Sequence, residues 1–283
     1  MNGTYRAYKS YNPISIIMIS LMYHDAIEGR ANESSGFHWP DAASYKLEAG
    51  VFDQHLQAIA RVCEPPTIVS DILSAGPKPQ RSTGEWMITF DDGGVSAYAH
   101  IAERLEELGW RGHFFIATDY IGAEGFMDRA QIRELRRRGH AIGSHSCSHP
   151  LRMASCGRRQ IEREWSVSVD LLSNLLGERT DLASIPGGQY SRQVAEAAAQ
   201  AGVRALFTSE PTVRRRQIAG CLTLGRYAIQ RWTAPRTAAA IASGKIFPRA
   251  RQTLLWQAKK MTKTIGGEYY LKFREALARR GLY

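Results

Sequence analysis

Between Glu85 and Pro150 the chain sets two aspartates directly after one short apolar run and two histidines directly after another, and this stretch constrains the rest. Trp86, Met87, Ile88, Thr89 and Phe90 form a β-prone run, Asp91 and Asp92 follow it, and Gly93 and Gly94 break it. Neighbouring side chains of an extended strand face opposite ways, so both carboxylates share a site only where the strand ends and twists. The following glycines permit that. A second run, from His140 to Gly143, delivers His145 and His149, and their four-residue spacing points both imidazoles the same way if the segment takes a single helical turn.

Asp92, His145 and His149 together supply one oxygen and two nitrogens, a donor set suited to a divalent zinc, cobalt or nickel ion with one position left for water. An ion there lowers the pKa of its water towards about 7, and a nearby carboxylate takes the proton as that water attacks a carbonyl. Paired aspartates before Gly-Gly also make ordinary turns, and lone histidines are commonly core or surface groups. The joint occurrence, each pair after an apolar run, favours the metal site. Cys147, between the histidines, is an alternative ligand, although the set is complete without it.

T-F-D-D-G from Thr89 to Gly93 followed by H-S-x-x-H from His145 to His149 resembles the first two motifs of the polysaccharide deacetylases, carbohydrate esterase family 4. The resemblance implies a distorted (β/α) barrel and a zinc-type ion held by Asp92, His145 and His149, with Asp91 as the base. It also implies an N-acetylated carbohydrate as substrate. A circularly permuted branch, which includes poly-N-acetylglucosamine deacetylases, carries its general-acid histidine near the start of the chain. L-M-Y-H-D from Leu21 to Asp25 looks like that element, so His24 is the candidate acid, and no histidine follows His149. Ile185, Pro186, Gly187 and Gly188 occupy the place of the family's R-x-P-x-G motif, with Ser184 where the arginine should be. Arg226, in C-L-T-L-G-R-Y, is a candidate to supply the guanidinium; with Pro186 and Gly187 it is assigned to the substrate side.

The remainder reads as alternating strands and helices, which indicates parallel βα units and an α/β fold. Helical spacing runs from Tyr45 to Cys63, with Phe52, Leu56, Ile59 and Ala60 on one face. Residues 64 to 84 read mainly as connection. Ser96 is placed to cap a helix through Gly109 with Ala99, Ala102, Leu105 and Leu108 inward. Later strands and helices, including Asp128–Arg138, Arg159–Leu176 and Ser191–Ala201, bring the count to about seven βα units, as a barrel with its site on the loops after the strands requires. The expected division is a barrel over 1–233 and a basic helical extension over 234–283 packed on it.

The 283 residues, 44% hydrophobic and 23% charged, are those of a globular protein, and length does not require two domains. Four irregularly spaced cysteines argue against a disulfide framework. Arg6 and Lys9 precede an apolar run from Ile14 to Tyr23 that is too short to span a bilayer and lacks an A-x-A-like site after it. The run reads as the first buried strand, and the expected location is cytoplasmic. The net charge of +10 favours anionic partners. The tail, basic around Lys259, Lys260, Lys263 and Lys272 with apolar Leu254, Trp256, Tyr269 and Phe273, fits either a helix lying on an anionic membrane or one packed on the barrel. No basic motif interleaved with aromatics marks a nucleic-acid module, so no nucleic acid is expected. An O-acetyl ester or formamide on a sugar remains an alternative substrate, and a non-catalytic carbohydrate-binding relative an alternative function.

Overall fold

The strand segments join into one nine-stranded sheet in the computed structural model, which describes residues 17–28, 34–75 and 85–260. The strands are β1 (Met18–Tyr23), β4 (Glu85–Phe90), β5 (His113–Ile116), β6 (Ala141–Ser144), β7 (Leu182–Ser184), β8 (Ala205–Phe207), β9 (Arg216–Ile218), β10 (Cys221–Leu224) and β11 (Tyr227–Ala228), with β2 (Asp25–Ile27) and β3 (Lys46–Glu48) as a separate parallel pair. Their order is β11-β1-β4-β5-β6-β7-β8-β10-β9, parallel throughout except for the β9–β10 ladder. Strands β10 and β11 stand near opposite ends of this order, yet Leu224 and Tyr227 are joined by only Gly225 and Arg226. Three peptide steps reach at most about 11 Å, so the sheet must curl until its ends nearly meet. This is the distorted (β/α) barrel expected. The C-L-T-L-G-R-Y segment therefore forms two strands, divided at Gly225 and Arg226.

Helices α1 (Ala49–Ala60), α2 (Val69–Ala75), α3 (Ala102–Glu107), α4 (Arg129–Arg137), α5 (Arg158–Leu176), α6 (Arg192–Gln200) and α7 (Pro235–Ala242) complete the fold. Several boundaries differ from expectation. Tyr45 closes a short 3-10 turn (Ala42–Tyr45) and β3 follows, so α1 starts four residues late. Phe52, Leu56 and Ile59 are buried as expected, but Ala60 is exposed and His55 takes the inner face, its ring bonded to Tyr23 Oη and the Thr233 carbonyl. The segment read as connection contains α2. Ser96 does not cap a helix: its hydroxyl donates to Asp25, and a wider π-type turn over Ala97–Ile101 precedes α3. That wider turn rotates the inner face, so Ala97 and Ile101 are buried where Ala99 was expected. Helices α4, α5 and α6 follow the sequence closely, with a capping box at Asp128–Gln131 and left-handed Gly177 ending α5.

The largest core cluster lies between β1, β4 and β5 and the helices outside them, and α7 contributes Ala238, Ala239, Ile241 and Ala242 to it. A further helix over 246–260 follows, its Gln252 amide donating to the Ala228 carbonyl and Thr253 Oγ1 to that of Pro211. No helix among the described residues is long and apolar enough to cross a membrane. The start of the Ile14–Tyr23 run, and Lys263, Tyr269, Lys272 and Phe273 of the basic tail, lie outside the described residues.

Candidate active site

Parallel strands end on one side of a sheet, and register sets which ends meet. Tyr23 pairs with Phe90, and the Asp91 amide donates to the Tyr23 carbonyl at 3.1 Å, so His24 and Asp91 leave adjacent strands side by side. Asp92 leaves β4 with φ of 77°, a left-handed conformation costly for a residue with a Cβ. This turn resolves the opposite facing of neighbouring carboxylates by bending the backbone. From the next strands, the His145 amide donates to the Ile116 carbonyl at 2.8 Å, and Ser184 ends β7 one strand further on.

Asp92, His145 and His149 converge so that one donor atom of each lies within 4.8 Å of the others. Both histidine Nε2 atoms stand 3.3 Å from Asp92 Oδ1. The protonation of His145 decides what this means. Its Nδ1 faces the Ser184 carbonyl at 2.9 Å, an acceptor only, so Nδ1 carries the proton and the neutral ring turns the Nε2 lone pair towards a carboxylate oxygen. Lone pairs converging on one buried point require a cation there. Without an ion the requirement falls on protons: burial opposes charge on His145, but Asp91 and Asp92 outweigh it and raise its pKa. Burial likewise pushes the Asp92 carboxyl up, yet the imidazoles of His24, His145 and His149 prevail and hold it well below the usual range. The donor set therefore fits a divalent ion of the zinc type.

Asp91 is held differently. Arg226 grips it with two bonds, Nη1 to Oδ1 at 2.6 Å and Nη2 to Oδ2 at 2.7 Å, and Ser184 Oγ donates to Oδ1 at 3.0 Å. The remaining guanidinium donors reach Thr208 O, Thr89 Oγ1 and Ser184 Oγ, so all five are used. Burial would raise the Asp91 pKa, but Arg226 and His145 lower it on balance. Arg226 thus occupies the place of the missing motif arginine, and Ser184 joins the same network from the motif position. Arg226, assigned to the substrate side from the sequence, is fully buried behind Asp91 and spends its guanidinium donors on the protein. Gly225 makes this possible, since a Cβ there would lie 2.4 Å from the Glu210 carbonyl oxygen.

The loop from His145 to His149 is not the helical turn expected. Ser146 and His149 are left-handed, with φ of 65° and 55°. Glu164 of α5 holds the loop in this shape, accepting from the amides of Cys147 and Ser148 at 2.8 and 2.9 Å and from Ser148 Oγ at 2.5 Å. Cys147 donates its thiol to the Glu164 carbonyl at 3.4 Å, outside the ligand group, and burial pushes that thiol up to about 11. The second imidazole has no such polar guide: His149 Nδ1 is buried without a hydrogen-bond partner among the described residues, and the Phe37 ring lies 4.6 Å from its own.

His24 packs against Tyr45, ring centroids 4.5 Å apart, and is among the groups that lower the pKa of Asp91 and Asp92. Pro186 is buried, while Gly187 is exposed and left-handed (φ 63°) in a tight turn after β7, where a Cβ would lie 2.2 Å from the Leu151 carbonyl oxygen. This turn borders the loop leaving His149. Glu164, Phe37 and Tyr45 went unremarked as site residues in the sequence. In the sequence Glu164 is one charge among several on an amphipathic helix, and Tyr45 fits a helical pattern.

Comparison with known proteins gives this geometry a relationship. Residues 78–206 match the family model described as polysaccharide deacetylase. Bacillus subtilis YxkH is 28% identical over 166 residues, 59% of this chain and 56% of that protein. The chain spans about half the length of the curated relatives it matches. Among solved structures, Streptococcus pyogenes deacetylase PplD, determined with acetate, shares the fold at a TM-score of 0.62 and 19% identity, over 80% of this chain and 97% of that one. IcaB from Ammonifex degensii does so at 0.63 and 22%, over 80% and 97%. Both motifs lie inside the matched span with their side chains gathered at one strand-end corner, so residues 78–206 are the part of this chain that is similar to the polysaccharide deacetylase family.

Proposed function

We propose that the chain is a metal-dependent hydrolase that removes the N-acetyl group from an N-acetylated sugar: water adds across the amide, and acetate and a free amine leave. The observation that carries the reading is Asp91, a buried carboxylate held ionised by Arg226 beside the Asp92–His145–His149 corner. A divalent ion in that corner, zinc first and cobalt or nickel next, supplies an acidified water and a polarised acetyl carbonyl, which suits a base whose proton affinity Arg226 has lowered. Asp91 accepts the proton from the attacking water. Ser184 and Arg226 keep both of its oxygens in place as charge shifts. His24, leaving the neighbouring strand end, donates a proton to the amine as the carbon–nitrogen bond breaks.

Metal content, with acetate release from N-acetylglucosamine oligomers and a lipid-linked N-acetyl sugar, tests this directly. Stoichiometric metal and release abolished by both Asp91→Asn and His24→Ala support the reading. Bound metal with release only from an O-acetyl ester or a formamide substitutes those acyl groups, and absence of metal from the purified protein overturns it. A cytoplasmic location and peripheral contact with anionic membrane belong to the same proposal. The membrane contact draws support from the charge of +10 and from exposed Ile246, Phe247, Leu254 and Leu255 beside Arg249 and Arg251. Sedimentation with anionic vesicles checks the contact, and no binding by the full chain removes it.

A further inference from the structure

We infer that Trp39 is a substrate-contacting platform: the apolar face of a pyranose ring stacks on its indole while an acyl group of that sugar reaches the Asp92–His145–His149 corner. The inference rests on the hydrolase reading above. Scattered exposed aromatics are common and need no ligand to explain them, but Trp39 is not scattered. Its ring lies 4.6 Å from Phe37 and 6.3 Å from His149, nearly parallel to the imidazole at 30°. Phe37 is buried against Tyr120, Phe126 and His149, whereas Trp39 stays 38% exposed at the outer end of the same stack. An aromatic ladder therefore runs from a metal-ligand ring to solvent. Its last rung is the amphipathic surface that a sugar needs, apolar on its face and able to donate through its indole nitrogen.

A second observation concerns a buried polar cluster that the reaction does not use. Asp25 Oδ1 accepts from Ser35 Oγ at 2.5 Å and from Ser96 Oγ at 2.8 Å, Ser35 Oγ accepts from the Ser96 amide, and Lys46 Nζ donates to the Ser35 carbonyl at 2.5 Å. Gly36 follows with φ of 65°, its amide donating to the Gly125 carbonyl at 2.8 Å, and a Cβ on it would lie 2.3 Å from Asp25 Oδ2. The cluster fixes Ser35 and Gly36, the two residues that lead into Phe37 and on to Trp39. A platform anchored this way is ordered before substrate arrives, so less conformational freedom is lost on binding. A buried carboxylate is a costly anchor for a loop with no task, and the sugar platform supplies the task.

The test compares wild type, Trp39→Ala and Trp39→Phe for acetate release from a tetramer of N-acetylglucosamine, hydrolysis of 4-nitrophenyl acetate, zinc affinity, and equilibrium tetramer binding in an Asp91→Asn background. Trp39→Ala is expected to raise both the tetramer KM and its Kd about tenfold, the worth of one good aromatic contact. The small ester rate and the zinc affinity should stay within twofold, and Trp39→Phe should recover most of the loss. Unchanged tetramer KM and Kd in Trp39→Ala overturn the platform and leave the hydrolase reading standing. Equal losses in zinc affinity and ester rate make Trp39 a structural support for His149 and also overturn it. Tetramer binding weakened by Trp39→Ala, with no acetate released by wild type, keeps the platform and rejects the hydrolase.

Discussion

The two imidazoles of the candidate metal corner are held by unlike means. His145 is oriented by polar contacts: its Nδ1 lies 2.9 Å from the Ser184 carbonyl and 3.0 Å from Ser184 Oγ, within the network that also grips Asp91. His149 is oriented by apolar packing on Phe37 and by a strained loop that Glu164 clamps at two amides and one hydroxyl. The first arrangement couples a ligand to the base through one serine. The second isolates a ligand from the base and ties it to helix α5 and to the Phe37 and Trp39 rings. Small polar changes should therefore reach chemistry through His145, whereas changes in shape should reach metal binding through His149.

The largest effect tests the base on which the comparison turns. Asp91→Asn should lower kcat by about 10²–10⁴ with metal content unchanged, and Asp92→Ala should lose the metal; both are read by acetate release and metal analysis. Next, Arg226→Met leaves the Asp91 carboxylate buried without its cation and should cost about 3–5 kcal/mol of stability, measurable by urea denaturation. The sign in pH follows from the lowered Asp91 pKa. In wild type the contribution of the pair is fully present above the ordinary carboxylate pKa and is lost as pH falls through the depressed folded value. Removing the guanidinium raises that value, so the acidic limb of kcat/KM should move to higher pH in Arg226→Met.

On the His149 side, Glu164→Gln removes a charged acceptor from two amides and should weaken zinc affinity about 10- to 100-fold, with little change in the acidic limb. Ser184→Ala is the mildest change. The carbonyl that orients His145 remains, so zinc affinity should fall less than about tenfold, while the acidic limb rises because Asp91 loses a donor. A pH shift in Glu164→Gln equal to that in Ser184→Ala would break the division between the two sides.

Much of this was legible in advance, and what was not failed for identifiable reasons. Helices α4, α5 and α6 lie near their expected bounds because their caps and glycine stops are local signals. The Ser96 helix failed because Ser96 is occupied by Asp25, 71 residues away, and the wider turn that follows has no signature in hydrophobic spacing. The histidine pair was expected on a helical turn because four-residue spacing favours it. Glu164, reaching back from the next helix, substitutes for the hydrogen bonds such a turn would have made.

The sequence by itself determined which atoms are available: two aspartates at a strand end, two histidines at a loop, and a histidine after the first strand, each placed by a short, continuous apolar run. Tertiary structure alone decided that Arg226 serves Asp91. That pairing spans 135 residues and depends on β10 and β11 lying near opposite ends of a sheet that curls shut between them. Side-chain chemistry and periodicity are written locally, whereas the closure of a sheet depends on all its strands at once. The guanidinium therefore appears at the base only when the barrel has formed.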